Sequence, residues 1–372
     1  MKKRITYFDL AKGIGIILVV LGHMENISGE LRTWISSFHM PLFFVISGML
    51  MAAKGTLAEN SDQKEEGSKL SSQAIKTAKG LLIPYFWFSL LYIPIDIMNL
   101  YIHNVDEHTF IQNILDSVTL SGVSVMWFLP ALFIAQVVAM ILIVKIKKYP
   151  VVYISSLALS VLTYGIWANI RFIYDAYSSI FVSATVLGFI RVILRGICMN
   201  IHVVTGFLAY KCIEYIENRY LNDKKGMIKG YSIAAGVILF SINMGICLKN
   251  GAVDNHFLTL NNLFLYYVCA LLGSLAIILI CKGLDRIPFI EFLGKNSLII
   301  MATHLQCYLL YAGILVAIAI DAYVTRAKSY VYMFNSVLFT MLFEVIVIFV
   351  INRFFPFVVG KGSIKDIFKR KG

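Results

Sequence analysis

Apolar residues in this chain come in long blocks separated by short polar segments, not at alternating positions. A bilayer is crossed by roughly 20 helical residues. Backbone groups in lipid must pair within their own segment, so blocks of this length predict helices. The pattern places about ten, at 7–25, 34–53, 80–101, 126–145, 150–168, 198–216, 231–248, 260–281, 296–320 and 331–352. The strict alternation of a membrane β-barrel is missing. The fold class expected is all-α, a polytopic membrane helix bundle forming a single domain over 1–372. Residues 171–196 fit either an outer loop with an interfacial helix or part of another span. The polar stretch 54–79 reads as a cytoplasmic loop, and 353–372 as a basic cytoplasmic tail. Asp9 and Lys12 interrupt the first apolar run, so it reads as a retained helix and not as a signal peptide.

Composition agrees with this pattern. Hydrophobic residues make up 59% of the 372, and charged residues only 15%. The net charge of +12 invites a nucleic-acid partner. That reading is rejected, because the basic residues occupy the short segments between apolar blocks, where they act as topology signals. With the N-terminus inside, 26 of the 33 lysines and arginines fall on the inner side and 7 on the outer. The asymmetry predicts both termini in the cytoplasm of a multi-pass cell-membrane protein, of the bacterial inner or plasma membrane type. The six cysteines form no CxxC pair or CxxH cluster, so neither a metal site nor a disulfide framework is expected.

The first helix carries the sharpest chemistry. Lys12 and His23 are eleven residues apart. That spacing returns to the same helix face within about 20°, with a rise of ~16 Å. Asp9 lies one turn before Lys12 on nearly the same stripe. Ionisable groups within a span usually face the bundle interior or an aqueous cavity. The alternative is interfacial, with Asp9 and Lys12 reaching to water and His23 ending the helix. His39 opens the second helix at the depth of His23. It reads as a structural hydrogen-bonding histidine or, paired with His23, as part of a base site. Lys76 and Lys79 stand at the cytoplasmic mouth of the third helix, as phosphate ligands or as ordinary inner-side lysines. Asp96 lies near that helix's outer end. Arg191, Arg195, Asn200 and His202 form an outer polar cluster before the sixth helix. It fits a substrate or anionic-lipid contact. Trp127 reads as an interfacial aromatic. His304 and Glu344 lie inside the ninth and tenth helices, with functional and structural roles both open.

Five segments in order, YFDLAKGIGIILVVLGH, FHMPLFFVISGML, LLIPYFWFSLL, WFLPALF and LGKNSLIIMATHL, resemble the acyltransferase-3 family of membrane O-acyltransferases. The FHMPLFF version is similar to the branch of cell-wall and exopolysaccharide acetylases. The resemblance implies about ten helices, a cytoplasmic acyl-CoA donor such as acetyl-CoA, and an outer acceptor, usually a sugar hydroxyl on an envelope or exported glycan. It implies that Lys12 and His23 match the family's basic residue and histidine, with lysine where arginine is common. Lys76 and Lys79 would match paired basic residues that contact the coenzyme. On this reading His23 is the general base, Asp9 and Lys12 orient the donor or line its path, and His39, Asp96, Arg191, Arg195 and His202 serve the acceptor. A covalent acyl-histidine route stays open. The bilayer and the acceptor are the expected partners, no metal is required, and homo-oligomer formation is compatible. A transporter or flippase for a lipid-linked glycan is the competing reading.

The charge asymmetry yields a test of topology. Reporter fusions at residues 60, 148, 225 and 365 are expected to read cytoplasm, and those at 110 and 254 the outside. An outside signal at 225 breaks the ten-helix arrangement.

Overall fold

The computed structural model of the chain describes residues 5–25, 27–55, 63–177, 179–220, 225–321 and 329–361. The described residues form thirteen α-helices. These are α1 (Thr6–Gly22), α2 (Gly29–Lys54), α3 (Gln63–Tyr101), α4 (Glu107–Val118), α5 (Phe128–Ile146), α6 (Tyr149–Tyr177), α7 (Phe181–Tyr220), α8 (Lys225–Asn250), α9 (Leu263–Gly283), α10 (Pro288–Lys295), α11 (Ser297–Thr303), α12 (Leu309–Ile320) and α13 (Ser329–Phe354). Eight are long and apolar enough to cross a membrane. Many large apolar side chains stay exposed on their outer faces, as lipid-facing helices require.

The structure sharpens or departs from the pattern reading in several places. Helix α3 begins at Gln63, inside the stretch expected as a loop. Its glutamines, glutamates, lysines and alanines are good helix formers, so polarity alone did not end the helix. Residues 56–62 of that stretch, and 362–372 of the expected tail, lie outside the described residues. So do Lys2, Lys3, Arg4, Lys224, Arg326 and Lys328 of the charge argument. The ambiguous segment 171–196 is divided between the end of α6 and the start of α7, so it follows the second of its two readings, as part of other spans. The span expected at 296–320 is broken into α11 and α12. Tyr308, at φ 58°, forms the break with left-handed backbone. Two added short helices, α4 and α10, are amphipathic pieces flanking the spans.

Close helix contacts hold α1, α2, α7 and α10 together. A side chain at Gly48 of α2 would collide with the backbone oxygen of Val203 on α7, and one at Gly206 of α7 with that of Val45 on α2. The pair α1·α10 repeats the device, with Gly13 against Ile290 and Gly294 against the Asp9 carbonyl. Lipid provides no hydrophobic drive between helices, so such backbone-to-backbone packing carries the association.

This packing makes a stability prediction. Gly48→Ala and Gly206→Ala are expected to cost about 1–3 kcal/mol by overpacking, seen as a lower unfolding midpoint in detergent. Gly245 on α8 faces open space, so Gly245→Ala is expected to be neutral or slightly stabilising. Equal effects at all three sites would refute the close-packed α2·α7 contact.

Candidate functional site

Two cavities meet inside the bundle, and the first helix lines both. One, of about 260 Å³, is walled by Lys12, Ile16, Phe43, Ser47, Lys54, Gln73 and Gln136 among apolar neighbours. The other, of about 390 Å³, is walled by His23, Arg32, Ser36, His39, Ser124, Asp254, Asn255 and His256. Val19, Met40 and Met301 line both. On α1 the wall residues are Lys12, Ile16, Val19 and His23, one continuous helical stripe. Helix α2 runs the same course in the opposite direction, from Ser36 and His39 past Met40 and Phe43 to Lys54.

The stripe of α1 is braced at the Lys12 end. The Lys12 ammonium lies 2.8 Å from Asp9 Oδ1, and the Asp9 side chain is almost fully buried. Helix α10 closes against this turn through Gly294. Its buried Glu291 pairs with Arg286 at 3.0 Å and with Lys295 at 3.8 Å. The hydrogen bonds from Arg286 hold the Glu291 carboxyl below the usual range.

At the other end His23 follows the last residue of α1 and is exposed to the larger cavity. Arg32 caps this terminus, donating to the carbonyls of Met24 at 2.8 Å and Glu25 at 3.2 Å. His39 donates from Nδ1 to the Ile35 carbonyl at 2.8 Å. A carbonyl only accepts, so Nδ1 carries the proton and Nε2 is left as an acceptor.

A further histidine joins this end. The His304 ring lies 5.3 Å from that of His23, centroid to centroid. It sits where α11 stops, and its Nδ1 donates to the Ile300 carbonyl at 2.8 Å. Its Nε2 is buried with no hydrogen-bond partner. Glu344 on α13 supports the same turn, with its carboxylate oxygens 2.8 and 3.0 Å from the hydroxyl of Thr303. Nothing in the sequence links His304 to His23. The helix break that brings the two together carries no proline or glycine to announce it.

Other expected site residues lie elsewhere. Asp96 accepts from Asn113 and Gln306, both at 3.3 Å, and ties α3 to α4 and to the 304–308 turn. It lines neither cavity. Arg191 is enclosed by rings, 4.7 Å from Tyr174, 4.6 Å from Phe257 and 5.9 Å from Trp167. Arg195 lies within α7, wholly buried, 4.7 Å from the Trp127 ring. It donates to the carbonyls of His256 at 2.8 Å, Trp127 at 3.4 Å and Ser121 at 3.5 Å. The two arginines are therefore not an outer surface cluster. They sit behind the cavity wall and fasten the 251–262 loop and the residues before α5. His202 is buried against the Tyr266 hydroxyl at 3.2 Å. Trp127, expected at the interface, is buried and stacks on His256. Burial and the nearby Arg195 and Arg191 push the His256 imidazole down to about 2, so this wall residue is neutral near pH 7.

Lys76 and Lys79 are exposed on α3 and line neither cavity. The cavity-facing stripe of α3 runs through Gln73 and Leu81. At 100° per residue the midline of that stripe lies between Gln73 and Leu81, and Lys76 falls roughly 100° and Lys79 roughly 160° from it. Both lysines therefore lie off the cavity-facing stripe, Lys79 further round than Lys76. Among the described residues, no group of three His, Cys, Asp or Glu side chains is arranged to hold a metal ion.

The arginine fastening is testable. Arg195→Ala leaves three carbonyls without their donor. Loss of hydrogen bonds to a charged group typically costs about 1.5–3 kcal/mol. Faster amide exchange over 251–262 is expected, with a lower unfolding midpoint, and Arg195→Lys is expected to rescue little. Unchanged exchange in that loop would remove Arg195 from this role.

Comparison with known proteins adds three findings. A family model described as an acyltransferase domain matches residues 5–353. Nodulation protein NolL of Sinorhizobium fredii (strain NBRC 101917 / NGR234) is 41% identical over 95 residues, which cover 23% of this chain and 23% of that protein. No solved structure matches the chain.

Proposed function

The chain belongs to the acyltransferase-3 family, and from that premise we propose that it is a membrane O-acyltransferase. It moves an acyl group, acetyl in the simplest case, from cytoplasmic acyl-CoA to a hydroxyl of an envelope or exported glycan. One observation carries the reading: a single helix stripe, Lys12–Ile16–Val19–His23, walls two chambers that meet end to end. The charge asymmetry of the loops supports a cytoplasmic opening for the Lys12 chamber and an outer one for the His23 chamber.

The chemistry divides between the two ends. In the Lys12 chamber, cationic Lys12 and Lys54 flank a mostly apolar wall suited to a thioester arm with its phosphates toward the mouth. Asp9 holds the Lys12 ammonium in place. In the His23 chamber, His23 takes the proton of the acceptor hydroxyl. The acceptor oxygen bonds to the acyl carbon, the carbon–sulfur bond breaks, and the proton ends on the coenzyme thiol. Proximity and base catalysis are the two contributions the protein makes. His304, whose ring lies beside that of His23 and whose Nε2 has no hydrogen-bond partner, would serve as the acceptor for a protonated His23. His39 contributes a second acceptor nitrogen to the same wall.

Labelled acetyl-CoA and fractionated envelope glycans supply the assay. His23→Ala is expected to lower transfer by about 10²–10⁴-fold, with unfolding midpoint unchanged. Lys54→Ala is expected to raise the acetyl-CoA KM more than it lowers kcat, since it removes ground-state binding. Lys76→Ala and Lys79→Ala are expected to leave KM nearly alone. Wild-type transfer by folded His23→Ala protein would overturn the mechanism, and substrate movement without consumption of acetyl-CoA would favour the transporter.

A further inference from the structure

The residues that separate the two chambers have a role of their own. Val19 of α1, Met40 of α2 and Met301 of α11 are the lining shared by both cavities. Trp127 lines the His23 side and its neighbour Phe128 the Lys12 side, so the chain crosses the same level there. All five side chains present carbon, sulfur or an aromatic ring at this level, with no charged group among them. Val19 and Met301 are buried and Met40 half-buried. Val19 stands one helical turn, roughly 6 Å, before His23.

We propose that Val19, Met40 and Met301 form an acyl-length gate, so that the acyl-CoA accepted by this chain is restricted to short acyl groups. The inference rests on the acyl-transfer reading above and adds which residues set donor specificity. In that reaction the acyl carbonyl must come within reach of a hydroxyl held near His23, while the sulfur stays on the Lys12 side. The carbonyl therefore lies at the level of the shared residues. Whatever follows the carbonyl projects into the gate or beyond it. A two-carbon acyl group fits without displacing the acceptor. A longer one either pushes the methionines aside or occupies acceptor space beside His23. The apolar ring adds selectivity of a second kind: a carboxylate-bearing acyl group would be desolvated there with no partner.

Methionine suits a gate because its unbranched thioether repacks readily. It also makes the gate separable from the fold, since shortening a flexible side chain that borders a cavity leaves no sealed void. The side chains are not offered as catalytic residues. Their expected signature is a change in the ratio between donors, which a purely structural role would not produce.

The test uses the full chain in detergent with acetyl-, butyryl- and hexanoyl-CoA as donors, an envelope-glycan extract as acceptor, and free thiol plus labelled ester as readouts. Wild type is expected to favour acetyl-CoA over hexanoyl-CoA by at least about tenfold in kcat/KM, of the order that a few methylenes command in a pocket. Met40→Ala and Met301→Ala are expected to shrink that ratio about tenfold or more, mainly by raising hexanoyl transfer. Met40→Phe reads the gate in the other direction: butyryl transfer falls while acetyl transfer persists. This variant keeps the test decisive if an alanine variant does not fold. An unchanged donor ratio in folded variants overturns the gate while leaving acyl transfer standing. No thiol release from any of the three donors by wild type overturns the acyl-transfer reading, and the gate with it.

Discussion

Backbone polar groups within a bilayer have no water to turn to, so a helix is opened there only where the protein itself supplies partners. The opening between α11 and α12 is therefore the feature on which the site depends. The Tyr92 hydroxyl donates to the Ala302 carbonyl, and Leu310 closes the turn by donating to the His304 carbonyl at 2.8 Å. The Tyr308 hydroxyl reaches Asn99 at 2.6 Å, and Gln306 reaches Asp96. Three of these partners come from α3, so α3 is what holds the break open. Asp96, expected from the sequence to serve the acceptor, accepts here from Asn113 and Gln306 and so ties α3 to the turn after His304.

Much of this arrangement was legible in the residues. Helix periodicity is rigid, so the spacing of Lys12 and His23 already implied one stripe, and the two histidines of α1 and α2 do share a chamber. The apolar blocks marked nearly every span. What stayed hidden depended on partners far away in the chain. Arg191 and Arg195 looked like an outer cluster because nothing nearby in sequence announces Trp167, Tyr174, Phe257 and Trp127, whose rings enclose them. The break at 304–308 was invisible because its sequence is apolar on both sides and contains no breaker. The phase of α3, which turns both Lys76 and Lys79 off the cavity, became readable only once Gln73 and Leu81 were seen to face it.

The two arginines also explain how a loop can serve as a cavity wall. Residues 251–262 connect α8 and α9, and Asp254, Asn255 and His256 face the His23 chamber. Asp254 accepts from the His256 and Phe257 amides at 2.7 and 3.2 Å, which shapes the turn locally. Tyr266 donates to Asn255, Trp167 donates to the Phe257 carbonyl at 2.8 Å, and Arg195 to that of His256. A loop tied at three consecutive residues behaves as part of the scaffold. Function placed on such a loop retains the precision usually found on helices.

The polarity of the two chambers bears on the choice between transfer and transport. A carrier of a glycan must offer polar partners along the whole route, because each sugar hydroxyl stripped of water without a replacement costs several kcal/mol. Here the polar groups stop on either side of an apolar level made by Val19, Met40 and Met301. A sugar meeting that ring loses its hydrogen bonds and regains none. An acyl group meeting it loses little, since its tail is already apolar and its carbonyl is the atom the acceptor must approach. The same barrier that is costly for a passing glycan is neutral for a group handed across. An apolar level of this kind would also limit the passage of water from one cavity to the other. On physical grounds, then, two polar-lined cavities that share an apolar level suit the exchange of a small acyl group better than the passage of a large polar one.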